Sequence, residues 1–338
     1  MKQLSILVVS RTPELLSALL ASLDQAWSGD AEAVEVLCSW NGSDADAGLI
    51  ETGRLPFQIV QRTPYHFAAN MNGLARVATG DVVVFANDDL RADPGSLDAA
   101  QARLTSDPEV GIVGAYLRTS QGEPAHVGIS FSTDGSAYHR LQYFAEADHP
   151  ACREERRVAA VTGAYLAMRR RDFLKLEFSE AIRVCGEDVI LCLDCRRNLG
   201  LAVLYCPDMS GIHDAESTRK HIPDQAGNEE DMQAMRLSYR NTRQRASRDD
   251  LMMELMAAQE EADTLRSQSR ELMDAIQQAT ETITSLQGSL EQQRTNRTQD
   301  RATITRLELE ASIHSRDLDR LKRRLLQREN TLQRSAGG

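Results

Sequence analysis

Two adjacent carboxylates, Asp88 and Asp89, follow Asn87 directly after the apolar run Val82–Ala86. Like charges this close repel unless a cation lies between them. Oxygen donors suit a hard divalent ion such as Mg²⁺ or Mn²⁺. The run before them is short, continuous, β-branched and aromatic, which predicts a buried strand. In open α/β sheets ligands gather beyond the carboxyl ends of the strands, where this triplet falls. Asn and Asp are also ordinary turn residues, so a polar turn closing a strand is the plain alternative. A second acidic pair, Glu187-Asp188, stands just before the apolar stretch Val189–Leu193. A carboxylate held at the mouth of a pocket in this way suits a general base. A helix N-terminal pair favoured by the macrodipole is its plain alternative.

The elements that must position these groups alternate along the first 120 residues. Leu4–Val9, Val34–Cys38, Phe57–Val60 and Val82–Ala86 read as strands. Between them, Pro13–Leu23 (with Leu15, Leu16, Leu19, Leu20 and Leu23 on one face) and Ala68–Ala78 read as helices. This rhythm predicts a mostly parallel sheet with helices on both faces. Further strands are expected at Gly111–Tyr116, Val158–Met168 and Ala202–Tyr205, and a helix from Val189 to about Asn198.

Composition changes near residue 225. Both tryptophans and all six cysteines lie before it, and residues 226–338 carry 19 acids against 18 bases. About −10 of the formal charge of −11 therefore belongs to the first part. An acidic head argues against nucleic acid as partner, since phosphate neutralisation needs a basic face. No apolar run approaches the roughly 18 residues of a membrane span, and the N-terminus reads as a first strand, not a signal peptide. Cys192 and Cys195 form a lone CxxC inside an apolar helical stretch, so buried thiols and a cytosolic setting are expected.

The tail keeps a heptad phase from Leu251 to Leu332. Eighteen of its 24 seam positions are apolar, with Gln293, Arg297 and Asp300 the one cluster of misfits. Such a repeat is the signature of a coiled coil, here a rod of roughly 120 Å. Ile276, Ile283 and Ile304 on one seam row and Leu272, Leu286 and Leu307 on the other favour a parallel dimer. In that arrangement Glu261 faces Arg266, Asp317 faces Lys322 and Arg324 faces Glu329 of a second copy. The cluster Arg320, Lys322, Arg323, Arg324 and Arg328 could draw the stalk to anionic lipid, with a solvated helix face as the plain alternative.

Five stretches in order resemble the inverting family 2 glycosyltransferases of the GT-A fold, over about residues 3–220. Pro64–Asp81, containing Asn70 and Asn72, runs into Phe85-Ala86-Asn87-Asp88-Asp89 and is similar to that family's asparagine-containing helix and DXD motif. His126-Val127-Gly128 resembles a recurrent His-x-Gly element, and Val161–Arg170 the acceptor-side strand. Cys185–Cys192 resembles the Glu-Asp catalytic motif. Tyr205-Cys206-Pro207-Asp208 with His213 matches the late histidine of the metal site. The resemblance implies an α/β GT-A domain over residues 1–222, and the composition change and heptad phase add a helical connection over 223–250 and a coiled-coil stalk over 251–334. Sugar transfer of that kind needs leaving-group charge neutralised and a hydroxyl deprotonated, which assigns Mn²⁺ or Mg²⁺ to Asp89 with Asn87 and His213 in support, Asp188 as general base, and Glu187 orienting the acceptor or shaping its loop. Donor contacts are implied for Ser10, Arg11, Asn41, Asn70, Asn72 and Asp88. A nucleotide-sugar donor, a glycan or lipid-linked acceptor and work at the cytoplasmic face of a bacterial membrane, in O-antigen or capsule synthesis, complete the expectation. One departure stands out: Trp40 occupies the place where the family usually has a base-contacting aspartate. Trp40 would stack on a base or pack in the core, and Asp44 or Asp46 would supply the polar contact. Arg169, Arg170 and Arg171 would serve phosphates or end a strand in solvent.

Two other readings remain. A sugar nucleotidyltransferase shares this type of fold but usually brings a glycine-rich basic loop after the first strand, and Ser10-Arg11-Thr12-Pro13-Glu14 has no glycine. An assembly protein with a degenerate catalytic part would not need Asn87, Asp89, Asp188 and His213 together.

Overall fold

The computed structural model describes residues 2–142, 144–214 and 228–335, with side chains through residue 326. The first half alternates strands and helices: Leu4–Ser10 (β1), Pro13–Ala26 (α1), Val34–Trp40 (β2), Asp44–Ala47 (α2), Phe57–Gln61 (β3), Phe67–Val77 (α3) and Val82–Asn87 (β4). β1 lies between β2 and β4, parallel to both, and β2 carries β3 on its far side. Every residue of β1 is buried because helices cover both faces. Leu4, Ile6 and Val8 pack with Leu16, Leu19 and Leu23 of α1 on one face, and Leu7 and Val9 with Met71 and Leu74 of α3 on the other. This is the period-2 alternation of a strand read against two helical stripes. Leu15 of α1 is exposed instead of sharing that stripe.

The second half is mixed. It contains Leu90–Ala92 (β5), Ser96–Ser106 (α4), Val110–Arg118 (β6), Pro124–His126 (β7), Ile129–Phe131 (β8), Ala137–His139 (β9), Pro150–Arg153 (α5) and Arg156–Arg157 (β10). Tyr165–Arg169 (β11), Arg170–Leu176 (α6), Glu187–Asp194 (α7) and Ala202–His213 (β12) follow, then the helices Asn228–Gln244 (α8) and Arg248–Ser335 (α9). The main sheet runs β3-β2-β1-β4-β11-β6-β12-β10, with β11 antiparallel to both its neighbours.

Three expectations change here. Of Val158–Met168 only the part from Tyr165 is strand, and that strand runs one residue further, to Arg169. The earlier part is apolar because it is buried, with Val161 pressed against Gly114, where an added Cβ would lie 2.3 Å from a Val161 methyl. β12 runs on to His213, past Pro207, because a register shift between Cys206 and Ser210 takes the proline out of the ladder; proline within an apolar run ordinarily marks a strand's limit. Arg169 and Arg170 serve neither phosphate nor solvent. Arg169 donates to the carbonyls of Leu104 and Val110 near the C-terminus of α4, and Arg170 donates to Ala75 O in the last turn of α3. Arginine there satisfies orphan carbonyls. The register Arg169↔Val82 puts both at the end of β4 remote from Asn87.

None of the six cysteines is in a disulfide, and Cys192 and Cys195 are buried, Cys195 with its thiol pushed up to about 12 by burial. The chain forms two compact units, residues 1–266 and 267–338. The first therefore includes α8 and the start of α9, past the composition change near residue 225. Arg196 binds Asp250 and Glu254 at 3.1 and 3.2 Å, Arg140 and Arg156 both bind Glu260, and Glu261 accepts from Tyr138 and from Leu141 N–H. Within its own chain Glu261 accepts these two bonds, and Arg266 pairs with Asp263 one turn earlier. Residues 267–335 of the second unit are one continuous helix, whose large apolar side chains are exposed through residue 326, Ile276 at 65%.

Candidate active site

After β3 the chain returns to the opposite side of β1 to form β4. That reversal creates a crevice at the carboxyl ends of β1 and β4, where ligands of such sheets bind. Ser10 ends β1 and Asn87 ends β4, so the acidic triplet emerges there. The Ser10 hydroxyl donates to Asp88 Oδ2 at 2.7 Å, tying the two strand ends together. Burial pushes the Asp88 carboxyl above the usual carboxylate range, against the Ser10 hydrogen bond, and the Asp89 charge pushes it the same way. Arg11 is exposed and close enough to pull it back slightly.

β5 begins at Leu90 and pairs antiparallel with the end of β12, Leu90 opposite His213. That register brings a histidine more than 120 positions away in the chain beside the triplet. His213 Nε2 lies 3.1 Å from Asp89 Oδ1 and 3.2 Å from Asn87 Nδ2. A carboxylate, an imidazole and an amide thus converge on one point in a largely buried place. Among the described residues no cluster of three His, Cys, Asp or Glu side chains assembles. With the amide counted as an oxygen donor after a flip of its terminal group, the set fits a divalent ion that accepts mixed oxygen and nitrogen ligands.

Asp188 reaches the same region through β11. Asn87 N–H donates to Ala164 O at 3.0 Å, and the adjacent Gly163 N–H donates to Asp188 Oδ2 at 2.7 Å. The second carboxylate oxygen accepts Val189 N–H at 2.7 Å. Each oxygen keeps a further lone pair. A Cβ on Gly163 would stand 3.1 Å from the Asp188 Cβ, so a larger residue here would press on that carboxylate's stem. Gly186, with φ +100, turns the chain into α7 and sets Glu187 and Asp188 in its first turn. His126 is fully enclosed nearby. Thr162 N–H donates to its Nε2 at 3.3 Å, so the proton sits on Nδ1 and goes to His139 Nδ1 at 2.9 Å. Burial first, then the His139 and His213 charges, hold this imidazole well below its usual range.

Not every expected residue joins the cluster. Asn70 and Asn72 are buried with their amides on protein groups. Asn70 donates to Ser39 and Thr63 and accepts from His66 N–H. Asn72 donates to Phe178 O and Glu180 and accepts from Phe178 N–H. These amides hold neighbouring segments together. Asn41 does lie at the crevice: its N–H donates to Ser10 O at 2.8 Å, and its side chain donates to Thr63 O. Trp40 packs in the core, 1% exposed, with its indole N–H on Ser43 O at 2.9 Å. Asp44 pairs with Arg62 and Asp46 with Ser43. Gly163 went unnoticed in sequence because its role depends on a partner 25 positions on.

Strand order, crevice and acidic triplet define a domain of the GT-A type. The solved structure of GalNAc-T7 with UDP, GalNAc and Mn²⁺ shares this fold at a TM-score of 0.51 and 11% identity, over 63% of this chain and 44% of that one. Residues 4–234 match the family described as glycosyltransferase like family 2, and the chain belongs to that family. It is 32% identical over 163 residues to the O-antigen biosynthesis protein RfbC of Myxococcus xanthus, covering 46% of this chain and 13% of that protein. It is 28% identical over 200 residues to the uncharacterized protein y4gI of Sinorhizobium fredii, covering 57% and 21%. The chain thus spans about an eighth of the first relative's length and about a fifth of the second's. Among the described residues no helix is long and apolar enough to cross a membrane.

Proposed function

We propose that this chain is a metal-dependent inverting glycosyltransferase that moves a sugar from a nucleotide-sugar donor to a glycan or lipid-linked acceptor, in bacterial surface polysaccharide synthesis. The convergence of Asn87, Asp89 and His213 at the β1–β4 crevice carries the reading. Family membership, the Mn²⁺ and UDP in GalNAc-T7, and the O-antigen role of the RfbC relative support it. Mn²⁺ or Mg²⁺ held by Asp89 with Asn87 and His213 would neutralise charge on the departing diphosphate. Ser10, Arg11, Asn41 and Asp88 line the donor side, with Asp88 oriented by the Ser10 hydroxyl. Asp188, held by two backbone N–H groups, takes the proton from the acceptor hydroxyl as it attacks the anomeric carbon from the face opposite the leaving group. Glu187 in the same turn shapes the acceptor side.

A second copy of the chain is the proposed partner of the stalk, in parallel, through the exposed seam from Leu272 to Leu325. Exposed apolar stripes of this length call for a partner, and Asp317 and Lys322 match in sign across a parallel pair.

The test is a panel of UDP-, dTDP- and GDP-sugars scored for nucleotide release with and without Mn²⁺. Release that stops in EDTA and in Asp89→Ala, with an unchanged circular dichroism spectrum, is expected. Full activity in EDTA, or in Asp89→Ala, refutes the metal assignment.

A further inference from the structure

The segment that presents Asp188 is tied down from outside the sheet. Arg183, Val184 and Cys185 lead through Gly186 into α7, and their three successive N–H groups all donate to one oxygen, Asp231 Oδ2, at 3.0, 2.6 and 3.3 Å. Asp231 sits in the first turn of α8 and is 3% exposed. One turn on, Met235 packs on Gly186, where a Cβ would stand 3.2 Å from its sulfur. Both contacts bear on the loop whose last residue turns the chain toward Glu187 and Asp188. Composition alone assigns Asp231 to an acidic run, Glu229-Glu230-Asp231, on a connecting helix. A carboxylate that accepts three backbone N–H bonds in a buried place is instead a fixed anchor, since charge-assisted bonds are roughly twice as strong as neutral ones.

We infer that Asp231 is a positioning residue for the transfer step: it holds the 183–186 loop so that Asp188 meets the acceptor hydroxyl. The inference rests on the reading of Asp188 as general base. Asp231 touches neither donor-side residues nor the Asn87–Asp89–His213 cluster in any described contact, so its loss acts on turnover and not on nucleotide binding. Misplacement of a catalytic group by about 1 Å costs roughly 100-fold in rate.

The experiment compares the full chain with Asp231→Ala and Asp231→Asn. Hydrogen exchange is followed on the peptide spanning residues 179–190, UDP–Mn²⁺ affinity by calorimetry, and nucleotide release on the sugar panel. In Asp231→Ala, exchange at Arg183, Val184 and Cys185 accelerates while β1 and β4 stay protected. Turnover falls about 100-fold with UDP affinity unchanged. Asp231→Asn, whose amide oxygen accepts the same N–H groups, regains most of the turnover. Unchanged exchange at the loop, or UDP affinity falling in step with turnover, overturns the inference. Asp188→Asn run alongside separates the two readings. If Asp188→Asn keeps full turnover, the base assignment fails; if it loses turnover while Asp231→Ala keeps it, the anchor fails.

Discussion

Glu260 lies within the heptad repeat, where a charged residue would ordinarily be solvated and dispensable. In the structure it is the shared acceptor of two arginines, Arg140 and Arg156. Arg140 is 2% exposed and reaches Glu260 through one terminal nitrogen, while among the described residues its Nε has no hydrogen-bond partner. Guanidinium cannot shed its proton, so Glu260→Ala leaves a buried charge uncompensated. Breaking a buried pair from one side costs about 3–5 kcal/mol, a large share of the roughly 5–15 kcal/mol that holds a domain folded. Arg156 retains Glu154 at 3.2 Å, so the estimate counts Arg140 alone. At about 2–4 °C per kcal/mol the melting midpoint drops by roughly 6–20 °C. Glu271→Ala, exposed further along the same helix, changes stability by no more than about 0.5 kcal/mol. Thermal melts and urea titrations of the three proteins decide it. A Glu260→Ala midpoint within about 1 °C of the parent would show that the start of α9 does not hold Arg140, and the reasoning fails.

Asp188→Asn abolishes nucleotide release while UDP–Mn²⁺ affinity by calorimetry is retained; affinity lost with turnover would move Asp188 to the donor side. Because His126 stays neutral in the fold while the unfolded chain takes up its proton below about pH 6.5, stability falls as pH drops under that value, by at most about 1.4 kcal/mol per unit. Urea midpoints at pH 7.0 and 5.5 read this, and equal midpoints would contradict it; His126→Gln flattens the dependence. Removing residues 267–338 leaves a folded monomer by sedimentation, whereas cutting after Gln244 uncovers Ile129, Phe131 and Val158, which line a cavity of about 400 Å³ with Leu251 and Leu255, and the product aggregates. The full chain sediments as a dimer; a monomeric full chain rules out the second copy as partner.

What the sequence by itself determined was whatever repeats or alternates locally. The βα rhythm to residue 87, the burial of β4 and the long C-terminal helix are legible because a strand or a helical stripe writes its period into a dozen neighbouring residues. The acidic triplet was legible for the same reason, as charge placed at the end of an apolar run. Only tertiary structure decided which distant groups meet them. The pairing of Leu90 with His213 arises where β12 runs on past Pro207 to meet β5, and neither strand's pattern encodes the other's register. Trp40 went to the core, Arg169 and Arg170 to helix ends, and Asn70 and Asn72 to loop bonds, because burial and a waiting carbonyl or hydroxyl are properties of the assembled site. Glu260 and Asp231 carry the same lesson. An acid on an amphipathic helix looks solvated until packing removes the water from the cation or amides it faces.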